Sequence, residues 1–297
     1  MRRAPTPPAP VLVLGAVASV QTGAAVATRL FPDAGPAGTV LLRLGLSALL
    51  LLAVARPRLR GRSRADVGWL IGYGVALAAM NASFYEALSR IPLGVAVTIE
   101  FVGPLAVAVW GSRRPLDFLW VALAAAGVVL LTTGSDGRVD LLGVLLALTA
   151  GACWAAYILL AQRAGRVLPG ASALAVGLAV GAVVVAPFGL VSAGTRLWHV
   201  DVLARGAAVA VLSSAIPYTL ELFALRRMRA HVFGVLMSLE PAMAALSGLL
   251  FLDQHLHVRE WVAVGCVMVA SVGATRRAPD QDLPVEPGAT PTEVLVP

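Results

Sequence analysis

The composition of this chain is that of a membrane protein. Of its 297 residues, 59% are hydrophobic and 13% are charged, and the mean hydropathy is +0.84, whereas soluble domains carry about 25% charged residues. All 23 basic residues are arginines, which cluster in short segments between apolar blocks, so the net charge of +7 does not indicate a nucleic-acid-binding face. These features exclude an ordinary soluble domain and predict a multi-pass protein of the cell membrane (inner or plasma membrane).

Ten apolar segments follow one another along the chain, each of roughly the length of a membrane-spanning helix, which needs about 20 residues. A short N-terminal segment, 1–10, precedes them. The last residues, 278–297, are acidic, rich in proline and without periodicity, which predicts a disordered tail. The predicted fold class is therefore all-α integral membrane. The ten predicted helices span residues 11–30, 37–55, 67–88, 92–111, 117–134, 140–162, 171–191, 203–225, 231–251 and 260–275.

The distribution of arginine between the loops predicts the orientation. With the N-terminus inside the cell, sixteen arginines fall on the inner side and six on the outer side, while Arg43 lies within predicted helix 2. Cytoplasmic loops of membrane proteins carry an excess of basic residues. Both termini are therefore predicted to be cytoplasmic.

A weak internal repeat divides the chain into two halves. The segment GVAVTIE, which ends at Glu100, returns as GVLMSLE, which ends at Glu240. Residues 11–134 and 140–275 each supply five predicted helices, so the second half begins on the opposite side of the membrane. The halves are thus predicted to form inverted repeats, an arrangement that places substrate sites of transporters at the repeat interface.

Two carboxyl groups lie near the middle of apolar helices. Glu100 and Glu240 come about nine residues into predicted helices 4 and 9, close to the mid-plane of a bilayer at a rise of about 1.5 Å per residue. A charge there is costly, and ionisable residues inside membranes are functional by default. The functional interpretation is a pathway site that exchanges a proton or contacts a cationic amine. The structural alternative is a carboxyl group that bonds backbone groups freed by Pro104 or Pro241.

Predicted helix 8 carries a polar stripe. Ser214, Tyr218 and Glu221 recur at positions i, i+4 and i+7, and Pro217 removes a backbone donor and is expected to bend the helix. Glu221 lies near the predicted cytoplasmic end of this helix. It either lines the mouth of a cavity or anchors the helix at the interface beside the arginines that follow.

Arg43 and Glu86 occupy the outer portions of predicted helices 2 and 3. Their matching depth favours a structural ion pair between adjacent helices over contact with a substrate. Further polar and aromatic side chains share helical faces and are candidates to line a cavity, although in membranes aromatic residues more often serve packing. These candidates are Asn81 and Tyr85 on predicted helix 3, Trp154 and Tyr157 on predicted helix 6, and Gln21 and Thr22 on predicted helix 1.

Cofactor and metal chemistry find no support in the sequence. Cys153 and Cys266 lie far apart within apolar helices, as buried thiols do. No histidine has a second ligand at metal spacing, and HExxH, GxSxG and paired-aspartate motifs are absent from the sequence. The sequence therefore predicts neither an enzyme nor a metal site.

Five segments of the chain resemble a known family. IPLGVAVTIEFVGPLAV, GSRRPLDFLWV, GACWAAYILLAQRAG, SSAIPYTLE and FGVLMSLEPAMAALSG are similar to the threonine/homoserine exporter branch of the drug/metabolite transporter superfamily, of EamA type. The resemblance implies ten helices in two inverted five-helix repeats around a central cavity. It also implies efflux of a small amphipathic metabolite driven by proton exchange. Glu100, Glu221 and Glu240 occupy motif positions of the family, while Glu86 lies outside the recognised segments.

The leading hypothesis is a secondary transporter that exports small amino acids similar to threonine and homoserine by alternating access. Its partners would be that substrate, protons and the lipid bilayer, and nucleic acid is not among them. The nearest alternative is an EamA-type exporter of another metabolite or of a drug. A scaffold protein would leave the glutamates within the helices unexplained. The oligomeric state and the coupling stoichiometry are left open by the sequence.

Overall fold

A computed structural model describes residues 7–110, 115–132, 140–225 and 227–275. The predicted tail, 278–297, and the predicted inner turn with Arg113 and Arg114 lie outside the described residues. All secondary-structure elements in the described ranges are helical. Besides the α-helices, they include a 3₁₀ helix at Gly194–Trp198 and a π-helix at Val211–Ala215. The α-helices are α1 (Ala9–Thr28), α2 (Phe31–Ala55), α3 (Arg64–Leu88), α4 (Leu93–Glu100), α5 (Val102–Trp110), α6 (Pro115–Thr132), α7 (Leu141–Val167), α8 (Ala171–Ala193), α9 (Val200–Ala210), α10 (Ile216–Leu225), α11 (Ala230–Met237), α12 (Glu240–Leu252) and α13 (Val258–Thr275).

Among the described residues, nine helical segments are long and apolar enough to cross a membrane, by length and composition. Four of these segments combine shorter elements: α4 with α5, α8 with the 3₁₀ helix, α9 with α10 through the π-helix, and α11 with α12. A shorter apolar stretch, Phe118–Leu131, lies in α6. The prediction of an all-α integral membrane protein is thereby confirmed.

The structure corrects two predicted helices. Predicted helix 4 is interrupted at Phe101, and predicted helix 9 is interrupted at 238–239, where each had been expected to run without a break. Proline explains both interruptions because it cannot donate a hydrogen bond to the carbonyl group four residues earlier. Pro104 leaves the carbonyl group of Glu100 without its helical donor, and Pro241 does the same to Met237. Both breaks therefore fall beside the repeated glutamates.

The bend predicted at Pro217 takes the form of a π-helix. The five residues Val211–Ala215 adopt this conformation immediately before α10, and the carbonyl group that Pro217 cannot serve, that of Ser213, lies within them. Single π-turns inserted in α-helices are frequent at functional sites. The irregularity places Ser213 and Ser214 at the centre of the bundle.

The loop predicted between helices 1 and 2 is instead part of a kinked helix. α2 begins at Phe31, and its kink lies at Gly35, where φ is +67°. This left-handed backbone conformation favours glycine, and Pro36 follows directly. The hydroxyl group of Thr39 donates to the carbonyl oxygen of Gly35 at 2.8 Å, which stabilises the kink.

Helices α4 and α12 pack closely and run in opposite directions. A Cβ atom on Gly94 would lie 2.8 Å from the Cα atom of Ala245, and a Cβ atom on Gly248 would lie 3.7 Å from the Cβ atom of Leu93. Gly248 thus lies beside the start of α4, whereas Glu240, at the start of α12, is close enough to Glu100, at the end of α4, to interact with its charge. This antiparallel register brings the end of α4 and the start of α12 together.

Candidate functional site

A cavity of about 330 Å³ lies where the interrupted helices meet. Its surface is mostly apolar and includes three carboxyl groups, those of Glu100, Glu221 and Glu240. The break after α4 places Glu100 at the end of that helix, and the break before α12 makes Glu240 the first residue of the next one. Glu221 comes from α10, after the π-helix.

The three carboxyl groups form an electrostatically coupled set. Glu100 and Glu240 are each only 7% exposed, and both Glu100 and Glu221 are close enough to Glu240 to interact with its charge. Within the described part of the chain, none of the three has a side-chain hydrogen bond or an ion pair. The alternative in which Glu100 and Glu240 bond freed backbone groups is therefore not realised, and the carboxylates are available to a ligand.

Aromatic and amide side chains complete the central part of the cavity. Tyr73 donates its hydroxyl hydrogen to the hydroxyl oxygen of Tyr157 at 3.2 Å, and their rings stack with centroids 5.0 Å apart. Tyr157, which lines the cavity, thereby keeps its own O–H free to donate. Trp154 packs edge-on against Phe101, with centroids 5.6 Å apart. The amide nitrogen of Asn81 donates one hydrogen to the carbonyl oxygen of Leu77 at 2.9 Å and has a second hydrogen left.

The predicted ion pair between Arg43 and Glu86 is wrong. The Nη1 atom of Arg43 instead donates to the hydroxyl oxygen of Tyr85 at 3.0 Å, and the guanidinium carbon lies 5.4 Å from the centroid of the same ring. Glu86 pairs with Arg90 at 3.3 Å, one helical turn further along. The prediction rested on the similar depth of the two residues in the membrane. The direction of each side chain depends instead on the rotation of its helix about its own axis, which depth does not reveal.

Of the candidates named from the sequence, Gln21, Ser214 and eight others line this one cavity, while Thr22, Tyr85 and Glu86 do not. Tyr85 is fully buried behind Arg43 and contacts the rings of Phe31 and Phe84. Glu86 faces the loop that holds Arg90. The eight others that line the cavity are Arg43, Asn81, Glu100, Trp154, Tyr157, Tyr218, Glu221 and Glu240.

Among the described residues, two buried polar atoms at the cavity lack a hydrogen-bond partner. These are the Oε1 atom of Gln21, a residue that is 2% exposed, and the Oγ atom of Ser213, which is 7% exposed. Most buried polar atoms are hydrogen-bonded, so such exceptions need an explanation. Ser213 was missed from the sequence because the π-helix shifts the helical phase that would have predicted its direction. Gln21 was among the candidates named from the sequence, and it does line the cavity.

The lining of the cavity is buried near one end of the bundle, the closed end, and half-buried towards the other. Near the end where α1 and α3 finish, Ala24 and Phe84 are buried. Towards the end where α8 begins and α10 finishes, Leu174, Tyr218 and Glu221 are only half-buried. Glu221 therefore lies towards the more accessible end, whereas Glu100 and Glu240 lie deeper.

Comparisons with known proteins identify the family. Residues 141–276 match the model of the EamA-like transporter family. The chain is 48% identical to the threonine/homoserine exporter RhtA of Escherichia coli (strain K12) over 268 residues. This alignment covers 89% of this chain and 90% of that protein. The corresponding RhtA of Salmonella typhimurium (strain LT2) is 48% identical over 277 residues, covering 91% and 93%.

A solved structure shows the same fold at lower similarity. A crystal structure of a protein with 19% sequence identity superposes with a TM-score of 0.62 and covers 91% of this chain and 97% of that chain. At this level of identity the likeness concerns the fold alone. The identity to the two exporters, which extends over nine-tenths of the chain, is much higher, and the chain belongs with them to the EamA-like transporter family.

Proposed function

We propose that this chain exports small amino acids similar to threonine and homoserine from the cytoplasm. The observation that carries the proposal is the central, mostly apolar cavity, which three carboxyl groups line together with polar atoms of Gln21 and Ser213 that have no hydrogen-bond partner among the described residues. The two bacterial relatives are named for the export of threonine and homoserine. The cavity's volume of about 330 Å³ is at the lower end of the range for ligand sites, about 300–1,000 Å³, which suits a small substrate.

The residues at the cavity complement each group of a hydroxylated amino acid. Glu100 or Glu240 accepts hydrogen bonds from the ammonium group, and the free donors of Tyr157 and Asn81 are available to the carboxylate. The unpaired atoms of Gln21 and Ser213 would hydrogen-bond the side-chain hydroxyl group. A site whose buried polar groups are satisfied only by a hydroxyl group rejects analogues that lack one.

The proposal includes ten membrane-spanning helices in two inverted five-helix repeats, 11–134 and 140–275. Three observations support this arrangement. Nine spans and one shorter apolar helix occur among the described residues. The two spans that carry the repeated motif, α4 with α5 and α11 with α12, run in opposite directions where α4 packs against α12. Finally, the family match begins at 141, where the second repeat is predicted to start.

Alternating access is supported by contacts that join the two halves at the closed end. Arg205 pairs with Asp33 at 2.7 Å, and Arg90 pairs with Asp140 at 3.1 Å. Each pair links a residue before 134 to a residue after 139. In the predicted orientation this end is the outer one, and the pairs would hold the outer side together in an inward-facing state that takes up substrate from the cytoplasm. Rocking of the repeats would then break these exposed pairs, which cost little to separate.

Cysteine labelling tests the orientation, including the cytoplasmic placement of both termini. In a chain with Cys153 and Cys266 replaced by serine, His199→Cys is expected to react with a membrane-impermeant maleimide in intact cells. Arg60→Cys is expected to react only after the membrane is opened, because the arginine-rich linker lies inside. Both positions are exposed in the structure. The reverse pattern of labelling would contradict the proposed orientation.

The substrate is tested by export itself. A strain that overproduces this chain is expected to resist toxic levels of threonine and homoserine and to release both amino acids faster than a strain with an empty vector. The same panel should include unrelated amino acids, a purine and hydrophobic drugs. Resistance confined to unrelated drugs would overturn the proposal in favour of another EamA-type substrate. Reconstituted vesicles that move none of these solutes would overturn a transport function for the cavity.

A further inference from the structure

We infer that Arg43 is the site that recognises the carboxylate of the substrate, held in position by Tyr85. The inference rests on the proposed export of amino acids and assigns a specificity-determining residue within the same cavity. The sequence favoured a structural ion pair for Arg43 over contact with a substrate. The structure gives it neither that partner nor any other carboxylate partner among the described residues.

The first argument is the number of hydrogen-bond donors. A guanidinium group has five N–H donors in a fixed planar fork. One of them is used by the hydroxyl oxygen of Tyr85 at 3.0 Å, and the side chain lines the cavity. Fixed donors therefore remain at the cavity surface, where an oxygen-rich anion can receive them in pairs.

The second argument is charge. An arginine inside the membrane is costly unless it faces a cavity and has a partner. The cavity's carboxyl groups are not bonded to it, although Arg43 is close enough to Glu100 to interact with its charge. The cavity thus presents separate positive and negative groups at a short distance from each other. An α-amino acid zwitterion carries the complementary pair of charges on adjacent atoms of one small molecule.

The third argument is the rigidity of the support. Tyr85 is 0% exposed and lies against the rings of Phe31 and Phe84, each with its centroid 6.0 Å away. Its ring also lies under the guanidinium group, 5.4 Å from the guanidinium carbon, in a cation–π contact. A side chain that is held at both its hydroxyl group and its ring face cannot easily turn away. Tyr85 is therefore a positioning residue for Arg43.

This assignment divides the recognition of the substrate between two groups. Asn81 and Tyr157 then supply neutral hydrogen bonds, and Arg43 supplies the charge that distinguishes a carboxylate from an amide. Threonine should bind well, whereas threoninamide, which keeps the ammonium and hydroxyl groups but has no carboxylate, should bind poorly. A lysine at this position would keep the charge but lose the planar fork, so it should restore binding only in part.

The experiment measures inhibition of labelled threonine transport in vesicles reconstituted with the full chain. Unlabelled threonine and threoninamide serve as competitors. In the wild type, threonine is expected to compete at least about tenfold better than the amide, since charge-assisted bonds to a carboxylate are about twice as strong as neutral ones. In Arg43→Gln, competition by threonine should fall at least about tenfold while competition by the amide stays unchanged. In Arg43→Lys, competition by threonine should be weaker than in the wild type and stronger than in Arg43→Gln.

Two further variants make the result independent of folding. Tyr85→Phe keeps the buried ring and removes only the hydroxyl group that orients Arg43, so it should weaken competition by threonine and spare the amide. Arg196→Gln changes an exposed arginine of the 3₁₀ helix, outside the cavity, and should leave both competitors unchanged. If Arg43→Gln fails to fold, the wild-type preference and the Tyr85→Phe result decide the question.

Three outcomes would overturn the inference. The wild type could bind threonine and threoninamide equally, Arg43→Gln could weaken both competitors by the same factor, or it could leave threonine unaffected. Failure of the proposed function gives a different result. If the wild type moves another amino acid but neither threonine nor homoserine, the proposed substrate is wrong, and the role of Arg43 is tested with that amino acid and its amide.

Discussion

Replacing Glu100 or Glu240 with glutamine is expected to reduce proton-dependent efflux of threonine at least about tenfold. Each substitution keeps the size of the side chain and removes the negative charge that the ammonium group of the substrate would meet. Loss of one partner from a buried, hydrogen-bonded charge pair costs about 2–5 kcal/mol, and about 1.4 kcal/mol corresponds to a factor of ten in affinity. The measurement is the initial rate of threonine efflux from loaded vesicles, with and without an imposed pH gradient.

A matched control is available in the same half of the protein. Glu86 is a carboxylate at the end of α3 whose side chain is 41% exposed and pairs with Arg90 rather than facing the cavity. Glu86→Gln should therefore keep efflux close to that of the wild type. If the variants at Glu100 and Glu240 both retained full proton-dependent efflux, the role of these glutamates in coupling would be wrong. If they retained efflux but lost its dependence on the gradient, the glutamates would serve coupling without serving binding.

Gly151→Ala is expected to lower both the stability and the transport activity of the protein. A Cβ atom at this position would lie 2.6 Å from the carbonyl oxygen of Glu100, and a Cβ atom on Gly103 would overlap the carbonyl oxygen of Gly151. Overpacking of this kind typically lowers the free energy of unfolding by about 1–3 kcal/mol. For a protein of this size, such a loss lowers Tm by about 3 °C or more. Thermal unfolding of the purified protein in detergent measures the shift, and vesicle efflux measures the functional loss.

The control for this substitution lies in the same helix. Gly165 is also in α7, but a Cβ atom there would meet no atom within 4 Å. Alanine is the better helix former, by about 0.5–1 kcal/mol, so Gly165→Ala should leave Tm unchanged or raise it. If the two alanine variants showed the same Tm, the close approach of α5 and α7 at Gly151 would not contribute to stability.

The two glycines explain how an interrupted helix is accommodated beside the cavity. Pro104 leaves the carbonyl oxygen of Glu100 without a backbone donor, and this oxygen needs space where α4 meets α7. Gly151 provides that space because it has no side chain, and Gly103 allows α5 to approach α7 at the next turn. Interrupted helices are tolerated in membranes where neighbouring protein covers them. The position of Glu100 therefore depends on packing by a helix of the other half of the chain.

The sequence was sufficient for the features that depend on local composition. Long apolar segments have to become helices in a bilayer, because only a helix satisfies its own backbone hydrogen bonds there. The existence and approximate bounds of these helices, the bend at Pro217 and the family resemblance could therefore be predicted. The same holds for Glu100, Glu221 and Glu240, because a carboxyl group in an apolar helix stands out in any sequence.

Features that depend on helix rotation and on contacts between distant residues could not be predicted in this way. Matching depth suggested a bond between Arg43 and Glu86, but rotation of the helices directs Arg43 to Tyr85 and Glu86 to Arg90. Ser213 reaches the cavity because a π-helix changes the phase of the helix before Pro217. The periodicity of apolar residues within one segment indicates neither the rotation of a helix against its neighbours nor the position of a π-helix.

By itself, the sequence determined that the protein is a helical membrane protein and which helices carry carboxyl groups within apolar segments. These properties follow from the cost of placing polar groups in hydrocarbon, which acts on each segment separately. Only the tertiary structure decided that three glutamates, an arginine and two unpaired polar side chains meet in one cavity. Residues as far apart in sequence as Gln21 and Glu240 line the same cavity through helix packing, and a hydrogen bond forms only when its two atoms come within about 3 Å. For this reason the chemistry of the site depends on the fold rather than on any single segment.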